Sequence, residues 1–138
     1  MTDTNWQHAL LLAGALHFTQ IPAMFLLPRV LDFRNELSRL SEMNRRLVRV
    51  VLAGIMMCVL GLGAVVVISP AQMLDTLLGR SLGAFLALFW ACRGGAQIAV
   101  YSKVWPRSSR WSHWALSALF ALLTLLYAAS TLHRGGKQ

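Results

Sequence analysis

Apolar residues in this chain fall in long unbroken stretches, not in a short alternation with polar ones. A membrane crossing takes roughly 20 mostly apolar residues at about 1.5 Å each. Four stretches reach that length, at residues 9–28, 48–69, 81–103 and 112–132. The third contains Arg93. An Arg at a helix centre costs about 2.5–3.5 kcal/mol, and each Leu, Ile, Phe or Val returns about 0.3–0.6 kcal/mol. Leu82, Phe85, Leu86, Leu88, Phe89, Ile98 and Val100 together roughly offset it. The pattern predicts an all-α protein, an integral membrane four-helix bundle forming a single domain over residues 1–138. The first apolar stretch is too long for a signal-peptide core and follows Asp3 instead of a basic segment, so it is expected to stay as the first helix.

Between the first two stretches, Phe33, Leu37, Leu40 and Leu47 recur at helical spacing among charged residues. Glu36 and Arg39 are three apart, and Glu42 and Arg46 four apart, both favourable helical pairings. This loop reads as a short amphipathic helix lying on the inner leaflet and contacting anionic lipid. Ser41 is placed to cap a helix leading into the second span. Ser69-Pro70 starts another short helix, with proline at its first position. Pro22 lacks an N–H, so the Phe18 carbonyl loses its usual partner and a kink is expected in the first helix.

Composition supports the same class. Hydrophobic residues make up 57% of the chain and charged ones 13%, with mean hydropathy +0.56. The charged share is about half the globular norm of roughly 25%. The net charge of +8 could point to nucleic acid, but the charges sit in blocks between apolar runs, as membrane loops do. Nine of the 13 Lys and Arg lie in the first and third connections: Arg29, Arg34, Arg39, Arg45, Arg46, Arg49, Lys103, Arg107 and Arg110. Arg80, Arg134 and Lys137 lie on the other side. The positive-inside rule then places both basic loops in the cytoplasm and both termini outside. Trp105, Trp111 and Trp114 cluster at the inner boundary, and Trp6 marks the outer one.

Arg93 is the residue with chemistry to explain, because no Asp or Glu lies in any of the four stretches. Intramembrane charges usually face a bundle interior or wet cavity and often mark function, although a snorkelling structural role is also open. Counting from the inner helix ends puts His17 and Gln20 of the first span within about a turn of Arg93 in depth. Gln97 lies one turn further in on the same face as Arg93. These four residues, Arg93, Gln97, His17 and Gln20, form the candidate ligand- or partner-binding cluster. An uncompensated guanidinium there is suited to a phosphate, a carboxylate or another anion.

Gly83, Ala87, Ala91 and Gly95 repeat every four residues along the third span, and Gly54 and Gly61 line the second. Such stripes allow close backbone approach in lipid. They predict that the second and third spans pack together, or alternatively that one stripe is a homo-oligomer contact. Cys58 and Cys92 have no metal-type spacing, and His8, His17, His113 and His133 do not form a haem or metal pattern. No nucleophile with an acid–base partner is visible. The expectation is therefore no catalytic residue, metal or cofactor.

The segments His17-Phe18-Thr19-Gln20-Ile21-Pro22-Ala23-Met24-Phe25, Phe89-Trp90 to Gln97, and Tyr101 to Trp105-Pro106 resemble a group of small bacterial four-helix membrane proteins. The resemblance covers most of the chain and carries no known function with it. The expected role is a non-enzymatic membrane component that binds a partner protein or a small anionic or lipid-like ligand around Arg93. A transport or channel subunit working as an oligomer, and a membrane redox or lipid enzyme subunit, are the alternatives.

Overall fold

Pro22 and the Phe18 carbonyl decide how the chain begins. A computed structural model describes residues 3–30 and 32–135 and contains helices and turns, with no strand among the described residues. The expected span 9–28 is not one helix. It breaks at Thr19 into α1 (Asp3–Phe18) and α2 (Gln20–Val30). At the break the Thr19 N–H and hydroxyl both turn back to the Leu16 carbonyl, at 3.2 and 2.6 Å. A proline ring four residues on crowds the Phe18 carbonyl and offers it no donor, so the regular ladder stops there.

Beyond the break, α2 packs mainly on α3 (Phe33–Ser38). Asp32 turns the corner between them in the left-handed region, at φ 47° and ψ 41°. Aspartate tolerates that conformation better than most residues. The expected amphipathic helix of the first loop is divided. Phe33 and Leu37 are half-buried on the six-residue α3, Leu40 lies in a turn, and Leu47 is already in α4 (Glu42–Ile68). The cause is the cap itself: the Ser41 side chain accepts from the Asn44 N–H and starts a new helix. Glu42 then pairs with Arg46 along the first turns of α4.

α5 (Pro70–Asp75) opens with proline at its first turn. Thr76 caps α6 (Leu77–Ala96) by accepting from the Gly79 N–H at 2.9 Å. A π turn (Gln97–Tyr101), the short α7 (Ser102–Val104) and a 3-10 turn (Arg107–Ser109) lead into α8 (Arg110–Gly135). Trp105, expected at a membrane boundary, is buried. Its indole N–H donates to the Ser109 carbonyl and the Ser112 hydroxyl, closing the turn into α8. Trp111 and Trp114 are exposed.

Three helical stretches, Glu42–Ile68, Leu77–Tyr101 and Arg107–His133, are long and apolar enough to cross a membrane. Their outward surface is apolar, with Met57, Ile68, Leu88, Leu125 and Leu132 among the well-exposed side chains. Because α5 links the end of α4 to the start of α6, the nine basic residues of the first and third connections gather at the end opposite α5. Lys137 and the Arg134 side chain lie outside the described residues.

The order of packing differs from the expectation. α4 packs on α1, α1 on α8, and α8 on α6, while α5 touches all four at one end. The second and third spans, α4 and α6, are not principal partners. Of the small residues, Gly83 meets α8, where an added Cβ would fall 2.7 Å from Thr131 Cγ2, and Ala87 lies against the core. Gly54, Gly61 and Gly95 have nothing within 4 Å of an added Cβ, and Ala91 is exposed. The stripes therefore do not join α4 to α6. Helix rotation decides which small residue is used, and spacing alone does not contain it. The close approach of α4 is made by Gly63 instead. An added Cβ there would sit 2.5 Å from His17 Cβ and 3.1 Å from the Gly14 carbonyl. Gly14 in turn faces Val67 and the Gly63 carbonyl.

Gly63→Ala should therefore cost about 1–3 kcal/mol, the usual penalty for overpacking. Gly54→Ala should be neutral or gain up to about 1 kcal/mol from helix propensity. Unfolding of the two variants by a denaturing detergent should separate them. Equal stabilities would contradict the α1–α4 contact.

Candidate functional site

Two buried polar groups on different helices organise the interior. His17 on α1 has no exposed surface. Its Nδ1 lies 2.9 Å from the Ala13 carbonyl, which can only accept, so Nδ1 carries the proton. The Trp90 indole of α6, a donor only, gives its N–H to His17 Nε2 at 3.3 Å. The Tyr127 hydroxyl of α8 stands 3.5 Å from Nδ1. His17 is thus the Nδ1–H tautomer with both ring nitrogens engaged. It joins α1, α6 and α8 and has no nitrogen left for a ligand.

Trp90 stacks on Phe120 of α8, with ring centroids 5.4 Å apart and planes at 21°. Beyond this pair lies the second group. The Arg93 guanidinium is half-buried, with Cζ over the Phe120 ring at 4.9 Å and over the Tyr101 ring at 5.3 Å. Arg93 Nη1 donates to Gln97 Oε1 at 3.3 Å. The Gln97 amide N–H then donates to His113 Nδ1 of α8 at 3.1 Å, and both Gln97 and His113 are buried. The side chain of Arg93 runs forward, toward Gln97 one turn on and Tyr101 two turns on.

Aromatic faces attract a guanidinium by about 0.5–2 kcal/mol each, but neither they nor an amide neutralise its charge. The ion pairs among the described residues are Glu36–Arg39 and Glu42–Arg46, both on the surface at the basic end. A guanidinium has five N–H donors, and Gln97 accepts from one. What the site offers is therefore a cation set against two aromatic rings with Gln97 accepting from one of its five N–H groups, a group that takes a carboxylate or phosphate through paired hydrogen bonds.

Of the four residues expected to cluster, the structure brings Arg93 and Gln97 into contact. His17 belongs to the adjoining Trp90–Tyr127 group and does not bond to Arg93. Gln20 lies past the α1 break, and its Nε2 is buried without a partner. The rings of Phe120 and Tyr101 take the place expected for His17 or Gln20. Sequence reasoning missed these rings and also His113. A signal for His113 was present, since Gln97 and His113 lie six and three residues from the basic residues Lys103 and Arg110 at the same end.

No protein-family model matches the chain, and no curated protein or solved structure matches it.

The His17–Trp90 bond generates a double-mutant test. His17→Leu leaves a buried indole N–H unpaired and should cost about 1–3 kcal/mol. Adding Trp90→Phe removes the stranded donor, so the two losses should fall short of additive by about 0.5 kcal/mol or more. Simple additivity in detergent unfolding would show that the two side chains are not coupled.

Proposed function

We propose that the chain is a non-enzymatic component of a bacterial inner membrane that holds the anionic group of a ligand or partner protein at Arg93. The reading takes α1 and α2 together as the first of four crossings and the three long apolar helices as the others. The basic residues gathered opposite α5 support an inner, cytoplasmic end there, with both termini outside. The exposed Met43, Leu47 and Val50, beside Arg46 and Arg49 at the start of α4, suit the headgroup region of an anionic leaflet.

One observation carries the binding role. A half-buried guanidinium is held by two rings and one amide, and no carboxylate among the described residues pairs with it. Such a charge favours an anion brought from outside the chain. Purification of wild type, Arg93→Lys and Arg93→Leu in mild detergent, followed by mass spectrometry, tests it. Wild type should retain an anionic ligand or partner, Lys should hold it more weakly for lack of the planar fork, and Leu should lose it. Equal retention by all three would leave Arg93 a structural residue.

The exposed Gly54, Gly61, Ala91 and Gly95 favour a second reading, a transport or channel subunit acting as an oligomer. If so, Ala91→Leu should convert an oligomer into a folded monomer on size-exclusion chromatography with light scattering.

The orientation has its own check. A reporter active only in the periplasm should be active when fused after Gln138 and inactive when fused near Arg39. The opposite pattern would reverse the topology.

A further inference from the structure

Arg93 lies half-buried on the helix at the margin of the assembly. α6 is the last helix in the packing order, and α8 is its one long partner. On the flank of α6 turned away from α8, Phe85 and Cys92 are exposed, and Phe89 and Ala96 are half-buried. At 100° per residue these four lie on the same side of Arg93, while Leu86, Trp90 and Gln97 lie on the other and are buried. A ligand reaching Arg93 therefore comes along an apolar flank, not through a closed polar interior.

The side chain carries the charge toward one end of the molecule. Arg93 runs toward Gln97 and Tyr101, that is, toward the end of α6 that leads through the π turn to Lys103 in α7. Long basic side chains near a helix end extend this way to reach headgroup level. The same end carries Arg29, Arg34, Arg39, Arg45, Arg46, Arg49, Arg107 and Arg110, which concentrate acidic lipid in the adjacent leaflet. Charge, depth and lateral access converge on one occupant.

Building on the anion-binding reading above, we propose that the group held at Arg93 is the phosphate of an anionic phospholipid. Its headgroup sits on guanidinium N–H groups other than the one given to Gln97, beside the Phe120 and Tyr101 rings. One acyl chain lies along the Phe85, Phe89, Cys92 and Ala96 flank. The cation–π contacts keep the fork in place when the lipid exchanges, so the site is selective for headgroup charge and tolerant of chain structure.

The test uses the full chain, delipidated in a neutral detergent and titrated with phosphatidylglycerol or with phosphatidylcholine of the same acyl chains. Bound lipid is counted by native mass spectrometry. Wild type should keep one phosphatidylglycerol at least about tenfold more tightly than phosphatidylcholine. Arg93→Gln should remove that preference, and Arg93→Lys should keep part of it. An Arg39→Gln/Arg46→Gln variant should retain it, since Arg39 lies at the end of α3 and Arg46 in the first turns of α4, neither in contact with Arg93. Equal retention of the two lipids by wild type overturns the proposal, whatever the folding of the variants. So does a preference that survives Arg93→Gln in a folded protein. If inorganic phosphate in millimolar amounts displaces the lipid and depends on Arg93, the ligand is a soluble anion. The lipid assignment then fails while the anion-binding reading stands. If no anion depends on Arg93, both fail.

Discussion

An indole N–H buried among apolar helices has to find an acceptor, and the interior of this protein is arranged around how Trp90 finds one. Its partner, His17, sits on a different helix and is itself held by the Ala13 carbonyl one turn back. The other face of the problem is shape. His17 fits because α4 carries glycine at position 63, which lets the helix backbone close over the imidazole. Trp90 then stacks on Phe120, and Phe120 in turn underlies Arg93. A single satisfied polar contact thus ties α1 to α6, and the aromatic stack extends that tie to α8 and to the cation. Leaving that N–H without an acceptor would cost more than the bond contributes, which is why the arrangement is specific as well as stable.

How much of this can be read from sequence depends on whether one helix or two are involved. Within a helix the residues speak for themselves: Ser41 caps α4, Pro70 opens α5, Pro22 interrupts the first apolar run, and Arg93 reaches Gln97 one turn away. Between helices, rotation about each axis enters, and spacing does not carry it. Gly54 and Gly63 look equally suited to a close contact, yet only Gly63 faces α1. His17 and Arg93 do not meet, because Trp90 and Phe120 stand between them. His113 and Gln97 meet because both lie close to the same end of antiparallel helices, a coincidence of depth that counting from the basic residues does show. The division of the first loop had a different cause, since a period of apolar residues runs across Leu40 and Ser41 while the backbone caps and restarts there.

The two histidines illustrate how similar burial leads to different roles. His17 has both nitrogens committed to groups that cannot exchange roles, an acceptor-only carbonyl and a donor-only indole, so it works as a fixed joint. His113 takes the Gln97 amide on Nδ1 and thereby sets the orientation of that amide, with oxygen toward Arg93. The guanidinium is positioned from behind by a side chain it does not touch. Supporting interactions of this kind hold a polar side chain in a set geometry.

The π turn at Gln97–Tyr101 sets where the second ring stands against Arg93. In an uninterrupted α-helix, Tyr101 would point about 80° away from Arg93, at 100° per residue over eight residues. A π turn amounts to one residue inserted into the helical count, which moves the phase back by about 100° and brings the Tyr101 ring under the guanidinium. The Arg93–Tyr101 contact is thus made by arithmetic along the backbone and not by the choice of side chain alone. Straightening this turn into a regular α-helix would keep every residue of the site in the chain and still swing the Tyr101 ring by about 100°, away from Arg93.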